Sequence, residues 1–398
     1  MRRMSAEIYS MTFRRYSLPF RQPVRTAHGA WTRREGVIVR LSNERGSTGL
    51  GEAAPIPWFG TETADEAAAA CERLGARVSR EQIEAIPERL GCLKFALASA
   101  RAECAAADGV DAGPDDYLTV AALLPAGRAA LEVAAQRAEA GFRTFKWKVG
   151  VADALDELVL LDDLLAALPA GARLRLDANG AWDRRTAERW LGRCADLPMV
   201  EFIEQPVAAA TPDRETDARA RSNAMDLLLG LAGDFPVPLA LDESVASSRD
   251  VAHWLDAGWP GLFVLKPSLL GDAAGTLGRL RAAGGDAQDG GRVVFSSALE
   301  TAVGARAALE WALRWKAENF RFSILDSRLG AAAPDSQMER QLHQSRIENR
   351  KSKIFRAAGF GVWPLFEDAR FNGPEAAPFV RARDIRLLDG EAAWNALS

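Results

Sequence analysis

The 398-residue sequence predicts an α/β protein, a (β/α)-barrel (a modified TIM barrel) carrying an N-terminal α+β capping domain. Three observations lead there. From Tyr117 onward, short apolar runs alternate with amphipathic stretches, the pattern of repeated βα units around buried parallel strands. Successive runs end in a charged residue, and a barrel gathers its chemistry at the carboxyl ends of its strands. No G-x-G-x-x-G follows the first run, so the doubly wound alternative lacks its phosphate-binding turn.

Residues 6–54 read as strands and turns, from the alternating EIYSMTFRRYSL through EGVIVRLSN to GSTGLGEAAP. Residues 62–107 are rich in Ala, Glu and Arg with helical apolar spacing, which predicts two or three helices. The capping domain is therefore expected over 1–116, ending at the turn-rich DGVDAGPDD. The barrel is expected over 117–366, with strands in YLTVAALL, FRTFKWKV, RLRLDA, VEFIEQ, PLALDE, GLFVLKP and RVVFSSA. AALEVAAQRAEAG and DALDELVLLDDLLAALPAG read as two of its helices. Two stretches break the rhythm and are expected as insertions, one near 208–234 and a polar, basic one at 316–353. The second reads as a solvated insert that adds little to the core. Residues 367–398 are expected to fold back on the capping domain.

Hydrophobic residues make up 48% and charged residues 26%, an ordinary globular balance that argues against disorder. No run approaches the apolar length of a membrane span. A net charge of −4 gives nucleic acid or an anionic membrane little to hold. MRRMSAEIYSMTF lacks the apolar stretch of a signal peptide, which predicts a cytoplasmic protein. Cys71, Cys92, Cys104 and Cys194 form no C-x-x-C and are expected to be buried free thiols. The sequence leaves the oligomeric state open. Only His28, His253 and His343 are present, too few for a histidine zinc site or a Ser-His-Asp triad. A metal here must be oxygen-ligated, which predicts Mg2+ first and Mn2+ second.

The charged strand ends carry the chemistry. Lys146 and Lys148 lie two apart in FKWKV, so they project to one side of their strand. Asp177 ends RLRLD, Glu204 ends VEFIE, Asp242 follows PLAL and Lys266 follows FVL. One such aspartate is commonly a helix cap. Three on consecutive strands, in D-A-N-G, E-Q-P and D-E-S contexts, are expected to converge on one divalent cation. Asp242 and Glu243 compete for the third position; adjacent residues face opposite ways, so Asp242 is expected to ligate and Glu243 to support. Burial beside a cation lowers a lysine pKa toward that of a useful base. Lys148, nearer the strand end, is expected to be the base, with Lys146 tuning it and Lys266 approaching from the opposite side. Arg175 should face inward as substrate ligand or charge partner, and Asn179 is expected to support the site. The cation would hold a substrate carboxylate while its α-proton leaves.

These motifs resemble the enolase superfamily, in its muconate-lactonizing-enzyme subgroup, which has a lysine on the second strand and another on the sixth. Superfamily sites of this kind pair a Lys or His base with Mg2+. The TAHGAWTRREG and GLGEAAPIPWFGTET segments, FSSALETAVG and AAGFGVWPLF look most like the o-succinylbenzoate synthase family. The resemblance implies Asp177, Glu204 and Asp242 as ligands and Lys148 and Lys266 as the catalytic pair. It implies a small carboxylate substrate and the syn-dehydration of 2-succinyl-6-hydroxy-2,4-cyclohexadiene-1-carboxylate to o-succinylbenzoate, in menaquinone or phylloquinone biosynthesis. The loop from His28 to Arg33 and Trp58-Phe59 should close over that substrate, and Ser296 and Ser297 should reach it through backbone N–H groups. N-acylamino-acid racemisation, dipeptide epimerisation and muconate cycloisomerisation need the same lysines and metal. An inactive barrel scaffold would not need them intact.

Overall fold

A computed structural model of the chain describes residues 7–26, 29–105, 116–208, 218–284, 291–329 and 355–397. The cap is built on two long antiparallel strands, β1 (Ile8–Thr26) and β2 (Gly29–Ser42). Strand β3 (Thr48–Ala53) pairs with β2, and β4 (Arg77–Ser79) with β1. Alternation gives the sheet one apolar face, where Tyr9, Met11, Val37, Val39 and Leu41 are buried with residues of α1 (Ala64–Leu74) and α3 (Gly91–Ala105). Thr63 and Glu66 form a reciprocal capping box that starts α1. Helix α2 (Arg80–Glu84) links β4 toward α3. Helix α3 lies directly on β3: a Cβ at Gly51 would stand 1.9 Å from the Ala96 carbonyl oxygen, so only glycine fits.

Among the described residues the barrel has seven parallel strands in chain order. After β5 (Tyr117–Thr119), they are β6 (Ala122–Leu124), β7 (Thr144–Lys148), β8 (Arg173–Asp177), β9 (Val200–Glu204), β10 (Leu239–Leu241), β11 (Leu262–Leu265) and β12 (Val293–Phe295). Helices α4 (Ala129–Glu139), α5 (Ala154–Ala167), α6 (Arg184–Cys194), α7 (Ala218–Asp234), α8 (Ser248–Asp256), α9 (Ala273–Ala282) and α10 (Ala302–Leu329) connect or follow them. Outward-facing Phe145, Trp147, Leu174, Leu176 and Ile203 join the helices in one core, while Phe202, Ala240, Leu262, Val264 and Val294 form a smaller cluster. The ring closes through two residues: Ala358 bridges Val120, and Gly359 bridges Ser296.

Three expectations about organisation change. The run YLTVAALL divides: β6 joins the barrel, whereas β5 pairs antiparallel with β13 (Phe379–Arg381). Most of 208–234 is the barrel helix α7, with Leu228 and Leu231 in the core, and is not an insertion. Helix α10 likewise continues past 316 with Asn319 buried, so the 316–353 segment begins inside a barrel helix. The remainder of that segment, from 330, lies outside the described residues.

The chain ends in α11 (Ala382–Arg386) and α12 (Gly390–Ala396). Trp394 of α12 lies under the cap's Arg14 and Arg40 guanidinium groups, 4.4 and 5.7 Å from its ring centre, and Glu391 pairs with Arg40 at 2.9 Å. All four cysteines are free and buried. Among the described residues no helix is long and apolar enough to cross a membrane.

Candidate active site

Strand register builds the site. In the parallel ladder Lys148 stands beside Asp177, and Asp177 beside Glu204. Asp242 and Lys266 follow directly on β10 and β11. Lys146 Nζ bridges Asp177 Oδ2 at 2.8 Å and Glu204 Oε1 at 2.7 Å, and Lys266 Nζ contacts Asp242 Oδ1. Asp177, Glu204, Asp242 and Lys266 are all buried.

Crowding of like charges away from water sets the electrostatics. Burial and then Asp177 push the Glu204 carboxyl up to about 8. Burial and then Asp242 push Glu243 up to about 7. For Lys146 the sequence argument reverses. Burial pulls its pKa down, but Asp177, Glu204 and Asp242 together outweigh burial and raise it. Lys146 is therefore a positive charge held between two carboxylates.

The cap reaches both other lysines. Lys148 Nζ donates to the Arg25 carbonyl of β1 at 3.1 Å, and Lys266 Nζ lies 4.9 Å from the centre of the Phe59 ring. Within the cap, Trp31 and Trp58 pack edge to face at 4.7 Å. His28 lies outside the described residues.

Two residues just past strand ends fix the carboxylates. The Asn179 backbone N–H donates to Asp177 Oδ1, and its side-chain amide donates to Glu243 Oε1, both at 3.1 Å. Gln205 is fully buried; its Oε1 accepts from the Asp242 and Ser244 N–H groups at 3.1 and 3.2 Å. Asn179 and Gln205 adopt φ of 44° and 37°, a strained backbone that persists where surroundings over-determine it. Gln205 escaped the sequence reading; its signal is the pairing of E-Q-P with D-E-S on neighbouring strands.

Other assignments need correction. The Ser296 N–H donates to Leu265 O at 2.8 Å and the Ser297 N–H to Gly359 O at 3.2 Å. The first amide extends the β11–β12 ladder and the second closes the barrel, so neither is free for a substrate. Ser297 Oγ donates to Glu300 at 2.6 Å. Arg175 does face inward, but it pairs with Glu201 at 2.7 Å and donates to Ala357 O at 2.6 Å, so it is a charge partner and not a substrate ligand.

The donor set suits a hard divalent cation: oxygen atoms only, in a mouth where three carboxylates share buried space. Among the described residues no three such side chains already form a cation cage, because the Lys146 ammonium sits between Asp177 and Glu204. The shortage of positive charge seen at Glu204 is what a cation would relieve.

A capped barrel with strand-end carboxylates between two lysines defines the enolase type of architecture. Residues 129–362 match the family described as enolase C-terminal domain-like, and residues 6–104 match the MenC N-terminal domain. An o-succinylbenzoate synthase of Thermosynechococcus vestitus is 41% identical, covering 76% of this chain and 88% of the relative. One from Yersinia enterocolitica is 32% identical over 74% of this chain and 83% of its own. The crystal structure of o-succinylbenzoate synthase from Thermosynechococcus elongatus, complexed with Mg in the active site, superposes with a TM-score of 0.68 at 39% identity, covering 77% and 90% of the two chains. The chain belongs to the o-succinylbenzoate synthase family, a family of hydro-lyases within the enolase superfamily.

Proposed function

We propose that this chain dehydrates 2-succinyl-6-hydroxy-2,4-cyclohexadiene-1-carboxylate to o-succinylbenzoate, with Lys148 as the acid–base group and Lys266 as its electrostatic partner. The observation that carries the reading is the placement of the two lysines on opposite sides of the Asp177, Glu204 and Asp242 carboxylates, each touched by a different part of the cap. The units 1–116, 117–366 and 367–398 then serve as cap, catalytic barrel and closing segment.

Asp177, Glu204 and Asp242 would hold Mg2+, with Asn179 and Glu243 behind them. When bound, the cation neutralises negative charge on the substrate carboxylate and so makes the adjacent proton more acidic. Lys148, as free amine, takes that proton, and the electron pair it leaves moves into the carboxylate. The pair then returns to form the new ring double bond as the C–O bond breaks. The Lys148 ammonium delivers the same proton to the departing hydroxide, giving water. One residue on one face doing both transfers gives the syn outcome. Lys266, held between Asp242 and the Phe59 ring, faces the negative charge as it develops. Lys146 places one positive charge between Asp177 and Glu204. Phe59 covers Lys266, and the Arg25 carbonyl holds Lys148 by a hydrogen bond.

The purified protein, assayed directly with the cyclohexadiene substrate, tests the reading. Formation of o-succinylbenzoate that disappears in Lys148→Ala supports it. Turnover of an N-succinylamino acid without dehydration would place the chain with the racemases instead.

A further inference from the structure

The amino-terminal end of the barrel, opposite the catalytic lysines, holds a second charged centre that the reaction does not use. Arg175 and Arg356 share one carboxylate: Arg175 Nε donates to Glu201 Oε2 at 2.7 Å, and Arg356 Nη1 to Glu201 Oε1 at 2.6 Å. Glu201 can face Arg175 because the ladder shifts register between Leu174 and Arg175. Burial alone would raise the Glu201 carboxyl, but the two guanidinium groups hold it down near 2, so it is ionised at any working pH. Two cations therefore meet one anion, and the Arg175 Nη2 atom is buried without a hydrogen-bond partner among the described residues. The Arg175 guanidinium lies 4.9 Å from the centre of the Phe202 ring, which meets part of that excess, while Arg356 carries the rest to the cavity wall.

Below this triad opens a cavity of about 1110 Å3. Its charged lining is Arg143, Arg173, Arg356 and Arg381, against the single carboxylate of Glu201. Arg143 spends its hydrogen bonds on the neutral carbonyls of Ala138 and Phe142, and Arg173 has no ion-pair partner among the described residues. The rest of the wall is uncharged, with Thr119 and Thr144 among apolar and aromatic residues. Tyr117 and Phe379 meet edge to face at 6.0 Å, both large and exposed; one face of each carries a cation, Lys316 4.2 Å over Tyr117 and Arg381 4.6 Å over Phe379, which leaves the other face for a ligand. Planar guanidinium forks grip paired anionic oxygens, and exposed rings accept a flat apolar body.

We propose that this mouth is a second ligand site, for a small organic dianion that carries a planar ring. Its charges meet Arg143, Arg173 and Arg356, and its ring lies on Tyr117 and Phe379. The site is independent of the dehydration: a failed activity assay leaves it untouched, and its own failure leaves the catalytic reading untouched.

Phthalate is a suitable probe, with pyrophosphate as a charged probe that has no ring. Phenylglyoxal labelling of the intact protein, read by peptide mass spectrometry, reports each arginine separately and so ignores any phthalate at the catalytic end. Phthalate should protect Arg143 and Arg173 in a saturable way, and pyrophosphate should do so at least tenfold less well. The variant Arg143→Gln/Arg173→Gln changes two exposed side chains and should fold normally. It should lose protection of Arg356 by phthalate at least tenfold. Absence of saturable protection, undiminished protection of Arg356 in the variant, or equal protection by pyrophosphate would overturn the proposal.

Discussion

At the scale of single residues, the site separates three lysines by what surrounds each. Lys146 is locked between two carboxylates, Lys266 between a carboxylate and a ring, and Lys148 donates to a backbone carbonyl as its one hydrogen bond among the described residues. In the proposed reaction the last is the one that cycles the proton. Lys148→Ala should therefore abolish deuterium exchange at the substrate α-carbon and lower kcat by about 1000-fold, the order expected for a positioned acid–base group. Lys266→Arg should keep its charge yet lose most turnover, because a planar fork cannot occupy the space between Asp242 and Phe59. Retention of exchange in the Lys148 variant would assign the base elsewhere. Glu300 offers a separate test. Burial, and then Glu52, raise its carboxyl to about 7 against an ordinary value of 4.5, although the Ser297 hydrogen bond opposes them. A carboxyl raised on folding contributes stability that is fully present below about 4.5 and lost as pH rises through 7. Glu300→Gln should flatten the loss of stability between those values, measured by urea unfolding across the range. An unchanged pH profile would show that Glu300 is ionised in the folded protein.

At the scale of elements, the strand ends were legible because period-2 alternation and one charged residue per run are visible in the letters. Asp177, Glu204 and Asp242 needed nothing else. Ser296 and Ser297 were misread because their amides are consumed by Gly359 and Leu265, and the two-residue closing bridge leaves no periodic trace. The partner of Arg175 depends on a register shift, which a sequence does not display. Gln205 was missed because its work depends on a left-handed backbone that turns its amide across to the next strand end. That work predicts an effect without substrate contact. Gln205→Ala should remove the acceptor for the Asp242 and Ser244 N–H groups and weaken Mg2+ binding about 10- to 100-fold, the range for groups that orient ligands. Calorimetry with Mg2+ alone checks this, and Gln205→Glu, which keeps the acceptor, should restore part of the affinity. Glu204→Gln, by contrast, should bind no Mg2+ in the same titration, and excess chelator should stop turnover of the unmodified enzyme.

At the scale of the whole molecule, function requires the cap to stay on the barrel, since the cap supplies the Arg25 carbonyl and Phe59. Two buried charges make that joint. Arg34 donates to the barrel's Leu299 carbonyl at 3.0 Å and Ala298 carbonyl at 3.3 Å while holding Pro55 O at 2.7 Å in the cap. Glu52 accepts from the Thr301 N–H at 3.0 Å and the Gly304 N–H at 2.8 Å, where its charge also suits the amino-terminal end of α10. Apolar patterning located both domains, but a joint made of a carboxylate meeting amide groups more than 240 residues away follows no local pattern. Glu52→Gln keeps the shape yet turns one acceptor into a donor facing N–H groups, and should cost about 2–3 kcal/mol of stability. Arg34→Met strands buried carbonyls on both sides and should cost at least as much. Both variants should also raise KM more than they lower kcat, because the cap closes over substrate while Lys148 and the carboxylates stay on barrel strands. Denaturant unfolding and steady-state kinetics on the same preparations check this. A normal KM in a variant that unfolds early would mean that α12, holding Arg14 and Arg40 through Trp394 and Glu391, suffices to seat the cap.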